Sequence, residues 1–167
     1  EPLVRETRIA MQVCTAGNHR TMKLCAELCL KHDEFERFLI ATDTPTGSGV
    51  MPLGMVYAMA FLSSFTDQPA EMYVAAATGN NARIYGLSSG FLQPGRDADV
   101  VLVDAPLGCS QKTAMAALKN GDPFAIAAVF TDGVPRFVGK SRNTPAPLNP
   151  VTVRSNRVLV DFSQQAH

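Results

Sequence analysis

The first third of the chain alternates short apolar runs with polar loops. Residues 9–13 predict a short strand, and a helix is predicted from His19 to His32. Its apolar positions recur at helical spacing: Met22, Leu24, Cys25, Leu28 and Cys29. Residues 35–42 then end in a nearly continuous apolar run, which is typical of a parallel strand buried on both faces. A strand, a helix and a strand in this order predict a right-handed parallel crossover.

The middle of the chain is predicted to be helical. It opens with a polar, glycine-rich loop over residues 43–49. Helices are expected over 52–65 and 69–78, followed by a short helical turn over 80–85. Gly86 is a suitable residue for the end of that turn.

From Leu87 onward the pattern changes to that of short strands. Strands are predicted at Phe91-Leu92 and over residues 98–104, with a Pro94-Gly95 turn between them. A short amphipathic helix is expected over 110–119, capped by Ser110.

A hairpin is the clearest local signal in the second half. Two strands, 125–131 and 134–138, flank an Asp132-Gly133 turn. The tail from Ser141 is rich in proline and is expected to be irregular, with one last strand at 157–162.

Composition restricts the class of protein. The 167 residues are 46% hydrophobic and 18% charged, which fits one folded domain but not a complete barrel enzyme of roughly 250 residues. Fifteen basic residues balance fifteen acidic ones, so nucleic acid and membrane surfaces are not expected partners.

The most apolar stretch, 50–65, is too short and too polar to span a bilayer, and the N-terminus lacks the order of a signal peptide. We therefore expect a cytoplasmic protein with four buried, unpaired thiols: Cys14, Cys25, Cys29 and Cys109.

Asp43 is the main candidate for chemistry. It directly follows the second predicted strand, where α/β folds present catalytic groups. The alternative is an N-cap or turn aspartate that binds the amides of its own loop. Each histidine is expected to have a surface or capping role, because no paired histidines converge on a metal.

Three segments in order resemble the C-terminal part of the amidohydrolase superfamily. Ile40 to Pro45 is similar to the last barrel strand with its metal-site aspartate, and Ala76 to Leu87 to the helix that returns to a flanking β-sandwich. The most specific segment, Gly90 to Leu102, resembles the sandwich signature of that family. Together they cover about residues 9–140. Within the superfamily, residues 44–49, 104–108 and 141–145 resemble those of the enamidases, which hydrolyse cyclic enamides.

The resemblance implies an α/β fold made of the last two strand-helix units of a (β/α)8 barrel and part of the β-sandwich. Residues 1–86 would be the barrel segment, 87–140 the sandwich segment and 141–167 an irregular tail. Asp43 would be both the catalytic proton carrier and a ligand of a divalent metal, zinc or iron or both. By the same pattern, the loop residues expected to line the substrate mouth are Thr44, Thr46 and Ser48.

The chain also departs from the family pattern. The other metal ligands of the family come from four earlier strands that this sequence does not contain. One carboxylate does not hold a catalytic zinc, which needs about three protein ligands. We therefore expect this chain to be the C-terminal part of a cyclic amide hydrolase. It would be inactive without the missing barrel half or a homologous chain. A homo-oligomer is expected by analogy with the family. The alternatives are a noncatalytic sandwich module for binding or assembly and, least favoured, an unrelated small α/β enzyme.

Overall fold

A computed structural model describes residues 1–44 and 50–154 of the chain. The first seven helices and strands, in chain order, are α1 (Pro2–Glu6), β1 (Met11–Cys14), α2 (His19–Lys31), β2 (Phe38–Ala41), α3 (Gly54–Ser64), α4 (Ala70–Ala77) and α5 (Gly79–Tyr85). They are followed by β3 (Val100–Asp104), α6 (Ala114–Asn120), β4 (Ala125–Thr131) and β5 (Val134–Val138). The result is an α/β fold, as predicted.

β1 and β2 form a two-stranded parallel sheet with α2 between them in sequence. Their register runs from Met11 opposite Phe38 to Cys14 opposite Ala41, so their carboxyl ends lie side by side. Phe38, Leu39 and Ile40 are all at most 1% exposed. This burial confirms the prediction of a parallel strand that is covered on both faces.

One hydrophobic core joins the helices to this sheet. α3 and α4 contribute the largest share of it, because small apolar residues on both helices allow close packing. Its fully buried larger side chains include Met22, Phe38, Ile40, Leu62, Tyr73 and Leu118. Burying one such side chain stabilises the fold by about 1.5–3 kcal/mol. Because Leu118 lies on α6, the core also connects the helical part to the second sheet.

The second sheet is antiparallel, in the order β3-β4-β5. The predicted hairpin is confirmed with both strands as expected. Asp132 and Gly133, the two residues between these strands, have φ values of 52° and 71°. A two-residue type I′ turn requires positive φ at both positions, and its twist matches that of the flanking strands.

Several local predictions were wrong. Phe91-Leu92 forms no strand; Leu92 is 84% exposed, and Phe91 packs beneath the guanidinium of Arg96 instead. The helix predicted from Ser110 begins at Ala114 and is capped by Thr113, whose hydroxyl accepts a hydrogen bond from the Ala116 amide. The start of the second predicted strand, Phe35–Arg37, is a 3-10 helix.

α1 was not predicted. Its five residues are too few to be stable alone. The guanidinium of Arg37 donates to the carbonyl of Val4 and to the carbonyl of Ile9, each at 2.7 Å. A tertiary contact therefore fixes this segment, which local periodicity does not reveal.

The tail from Ser141 to Arg154 is irregular, as predicted, apart from one antiparallel bridge between Pro106 and Pro147. The strand predicted at 157–162 lies outside the described residues. Over residues 1–44 and 50–154, none of the helices has the length and apolar character needed to cross a membrane.

Candidate active site

Asp43 lies at the carboxyl end of the parallel sheet, two residues after β2 ends. Its side chain is exposed, and its backbone has a φ of 56°. This left-handed conformation turns the chain sharply out of the strand direction. Among the described helices, the next one after Asp43 is α3, which begins at Gly54, so Asp43 caps none of them. A turn aspartate and a catalytic carboxylate, the readings open from the sequence, both agree with this position.

Thr15 holds the peptide that leads to Asp43. Its amide donates to the carbonyl of Ala41 at 3.3 Å, and its hydroxyl donates to the carbonyl of Thr42 at 3.1 Å. Thr15 is 6% exposed and its hydroxyl bond is partly buried, which reduces competition from water. Thr15, in the loop after β1, thus binds both residues that immediately precede Asp43.

The side chain of Thr42 is held from the opposite direction. A Cβ atom built on Gly54 would lie 2.8 Å from Thr42 Cγ2, so only glycine permits α3 to start this close to the strand end. Thr42 Oγ1 also accepts a hydrogen bond from the Thr44 amide at 3.4 Å. The turn around Asp43 is therefore packed against the first residue of α3.

Of the three residues predicted to line a substrate mouth, the structure describes Thr44. It is exposed, and its hydroxyl accepts a hydrogen bond from the Met51 amide at 3.1 Å. This bond joins the two described ends of the glycine-rich loop. Thr46 and Ser48 lie outside the described residues.

The chemistry available here is that of one exposed carboxylate. It can accept a proton or provide one oxygen ligand to a cation. In the described ranges no three His, Cys, Asp or Glu side chains converge to hold a metal ion. A divalent metal needs about three protein ligands, so these residues do not form a metal site by themselves.

The two described histidines, His19 and His32, lie at the two ends of α2, as predicted. His19 opens α2, and its ring centroid lies 5.1 Å from that of Phe61. His32 follows the last residue of α2, and its Nε2 lies 3.3 Å from a carboxylate oxygen of Glu1. His167 lies outside the described residues.

All four cysteines are free thiols, as predicted. Cys29 is fully buried, whereas Cys14, Cys25 and Cys109 are half-buried, so the expectation of buried thiols holds for Cys29 alone. Burial raises the pKa of the Cys29 thiol to about 11. A thiol with this pKa stays protonated at neutral pH, which agrees with a packing role.

Two residues that shape the site were missed from the sequence: Thr15 and Gly54. Thr15 follows a predicted strand, but its contacts depend on the register between β1 and β2. Gly54 lies in the predicted first turn of a helix, but its importance depends on how closely α3 approaches Thr42. The available signal was the position of Thr15 directly beyond an apolar strand.

The chain is similar to known proteins in sequence and in fold. The chain is 36% identical to the enamidase of Eubacterium barkeri over 143 residues, which are 86% of this chain and 37% of that enzyme. A 1.9 Å crystal structure of enamidase, described as a member of the amidohydrolase superfamily, superimposes with a TM-score of 0.85 at 35% identity over 89% of this chain and 38% of the other. A 5-methylthioadenosine/S-adenosylhomocysteine deaminase of Archaeoglobus fulgidus is 32% identical over 58% of this chain and 24% of its own length.

These relatives are much longer, since the chain spans little more than a third of the length of enamidase. The model of the amidohydrolase family matches residues 3–136, which include both parallel strands, Asp43 and the antiparallel sheet except for the last two residues of β5. The chain therefore belongs to the amidohydrolase family.

Proposed function

We propose that this chain provides the C-terminal part of a hydrolase that cleaves a C–N bond of a cyclic amide, as an enamidase does. The observation that carries the proposal is the position of Asp43, an exposed carboxylate held at the carboxyl end of a buried parallel strand. The identity to enamidase extends over most of the chain and supports the same substrate class.

Asp43 is the proton carrier in this proposal. Water attacks the carbonyl carbon of the cyclic amide, and the Asp43 carboxylate accepts a proton from that water. The protonated Asp43 then donates the proton to the amide nitrogen as the C–N bond breaks. The ring opens to give a carboxyl group and an amine. Thr44, Thr46 and Ser48 line the entrance for the substrate.

The proposal gives this chain one ligand of a divalent zinc or iron site, Asp43, and places the remaining ligands on strands outside the chain. β1 and β2 become the last two strands of a (β/α)8 barrel, with residues 1–86 as barrel segment, 87–140 as sandwich segment and 141–167 as tail. The isolated chain is then inactive and needs the missing barrel half or a homologous chain. A cytoplasmic homo-oligomer is part of the same proposal.

A noncatalytic module that kept only the sandwich is not favoured. The family match begins at residue 3 and includes the parallel sheet together with Asp43. A module selected only for the antiparallel sheet has no need of the packed turn formed by Thr15, Thr42 and Gly54.

The test is Asp43→Asn in the chain assembled with the missing barrel strands, assayed on a panel of cyclic amides. We expect kcat to fall by about 10²–10⁴-fold, the range typical of a lost general acid–base group. Asp33→Asn is the matched control, because Asp33 is also exposed and has the same φ of 56°. Near-normal turnover by the Asp43 variant would overturn the proposal.

A further inference from the structure

We propose that Thr15 is a positioning residue for Asp43. This inference rests on the proposed function, because it gives Thr15 a purpose through the carboxylate that carries the proton. Thr15 itself touches no reacting atom in the proposal. It acts by fixing the peptide from which the Asp43 side chain projects.

The two hydrogen bonds of Thr15 differ in what they do. The register of the parallel sheet ends at Cys14 opposite Ala41, and the bond from the Thr15 amide to the Ala41 carbonyl adds one more step to this ladder. The bond from the Thr15 hydroxyl to the Thr42 carbonyl lies beyond the ladder. A hydroxyl group thus continues the strand pairing by one residue where the backbone no longer does.

The Thr42 carbonyl belongs to the same planar unit as the Asp43 amide nitrogen. Holding that oxygen therefore fixes the orientation of the plane that leads into Asp43. Asp43 needs such support, because its φ of 56° lies in a region that L-residues other than glycine adopt uncommonly. A backbone in such a region persists when its surroundings hold it there.

Burial makes the hydroxyl bond effective. Thr15 is 6% exposed, and the methyl group of the Thr42 side chain is closed in by Gly54. The peptide before Asp43 is thus held through its carbonyl by Thr15 and through its side chain by the start of α3. Loss of the hydroxyl removes the first of these restraints and leaves the bond between the Thr15 amide and the Ala41 carbonyl in place.

The experiment compares Thr15→Val, which keeps the shape of the side chain but loses the hydroxyl, with Thr15→Ser, which keeps the hydroxyl. Thr78→Val is the matched control. It also removes a hydroxyl that donates to a backbone carbonyl, that of Val74 at 2.7 Å, but this bond is exposed. Thr78 lies two residues before Asn80, whose side-chain amide donates to the Phe38 carbonyl at the opposite end of β2.

The first readout is NMR on the 167-residue chain. The contact between the Asp43 amide proton and its own α-proton gives a strong nuclear Overhauser effect only when φ is positive. We expect a strong signal in the wild type, Thr15→Ser and Thr78→Val, and a weakened signal in Thr15→Val. Equal signals in all four proteins would overturn the proposal.

The second readout is turnover in the assembly with the missing strands. We expect Thr15→Val to lower kcat by about 10–100-fold with little change in KM, because a displacement of about 1 Å in a catalytic group has effects of this size. Thr15→Ser should restore kcat to within about threefold of wild type. Wild-type kcat in Thr15→Val, or an equal loss in Thr15→Ser, would contradict the assignment.

If Thr15→Val does not fold, Thr15→Ala and Thr15→Ser are compared instead, since these two differ only in the hydroxyl. Equal NMR signals and equal kcat in that pair would again overturn the proposal. Failure of the proposed function is distinguishable, because it appears as an active Asp43→Asn variant. An inactive Asp43→Asn variant beside an unaffected Thr15→Val variant overturns the role of Thr15 alone.

Discussion

Among the described residues, three other than glycine have positive φ, and all three are aspartates: Asp33, Asp43 and Asp132. Two have ordinary explanations. Asp132 forms the hairpin turn, and Asp33 ends α2, where the next amide, that of Glu34, donates back to the Cys29 carbonyl at 2.8 Å. Asp43 lies in no described hairpin turn and at no end of a described helix. Thr15 and the packing around Thr42 hold the residue that precedes it, and a left-handed conformation supported in this way is the pattern expected at a functional position.

Because Gly54 lies close to Thr42, we expect that adding one methyl group at Gly54 destabilises the fold. Gly54→Ala would normally stabilise a helix by about 0.5–1 kcal/mol. Here the new Cβ would lie 2.8 Å from Thr42 Cγ2, so we expect the free energy of unfolding to fall by about 1–3 kcal/mol.

The control for this prediction removes the obstructing atom. Thr42→Ser lacks Cγ2, and the double variant should recover most of the loss, giving a coupling free energy above about 0.5 kcal/mol in a double-mutant cycle. Urea unfolding measures all four proteins. Additive effects would show that the clash is not the cause.

Burial of Cys29 predicts a pH dependence of stability. Its thiol has a pKa of about 11 in the folded chain, against an ordinary value of 9.0. Between these values the unfolded chain releases the thiol proton while the folded chain retains it, so the free energy of unfolding falls as pH rises. The expected loss from pH 9 to 11 is up to about 2 kcal/mol.

Denaturant unfolding at several pH values between 8 and 11 measures this slope. Cys29→Ala lowers stability at every pH because it leaves a cavity, but its slope above pH 9 should be shallower than that of the wild type. Parallel curves for the two proteins would refute the contribution of Cys29.

At the scale of elements, Arg37 explains how α1 and the 3-10 helix are held. Its guanidinium donates hydrogen bonds to the backbone carbonyls of Val4 and Ile9 and to the carboxylate of Glu34, each at 2.7 Å. The Arg37 side chain is 8% exposed. Lysine offers a single charged nitrogen and cannot match this planar fork. We therefore expect Arg37→Lys to lower the free energy of unfolding by about 2–4 kcal/mol.

Arg83→Lys is the control, because Arg83 forms an exposed ion pair with Glu36 at 3.4 Å, and its effect should stay within about 0.5 kcal/mol. Hydrogen exchange adds a local readout. The amides of residues 4–6 should lose protection first in Arg37→Lys, and a uniform loss over the whole chain would contradict a specific role in holding α1.

The elements that could be predicted are those with a strong local pattern. β2 has a continuous apolar run, and the strands of the hairpin flank an aspartate-glycine turn, so each is specified by neighbouring residues. α1 depends on Arg37, more than 30 residues away, and Phe91 packs with Arg96 rather than in a sheet. The position of Asp43 at the carboxyl end of β2 was predictable from the apolar run before it. The contacts of Thr15 were not predictable, because they depend on the register between β1 and β2.

At the scale of the whole molecule, both sheets have the character of parts of larger sheets. A sheet of two strands is marginal on its own. Within residues 1–44 and 50–154, β3 lies at the edge of the antiparallel sheet, where Val101 and Leu102 are 51% and 41% exposed. Exposed apolar edge strands favour pairing with further strands. This agrees with the proposal that further barrel and sandwich strands complete the fold.

The link between the helices and the second sheet depends on Gly90, the first glycine of the segment that resembles the family signature. Its φ is 88°, and a Cβ atom there would lie 2.7 Å from Ala82 Cβ and 3.2 Å from the Thr78 carbonyl oxygen. Gly90→Ala therefore combines an unfavourable backbone with a clash against the start of α5. We expect a loss of about 2–4 kcal/mol in the free energy of unfolding.

Gly95 separates these two costs. It lies in the turn closed by the Arg96 amide and the Gln93 carbonyl, and its φ is 83°, yet a Cβ atom there would meet nothing within 4 Å. Gly95→Ala should therefore cost only the backbone part, about 1 kcal/mol. Urea unfolding of the two variants measures the difference. Equal losses would mean that close packing against α5 does not hold the two parts together, whereas a larger loss at Gly90 assigns it that role.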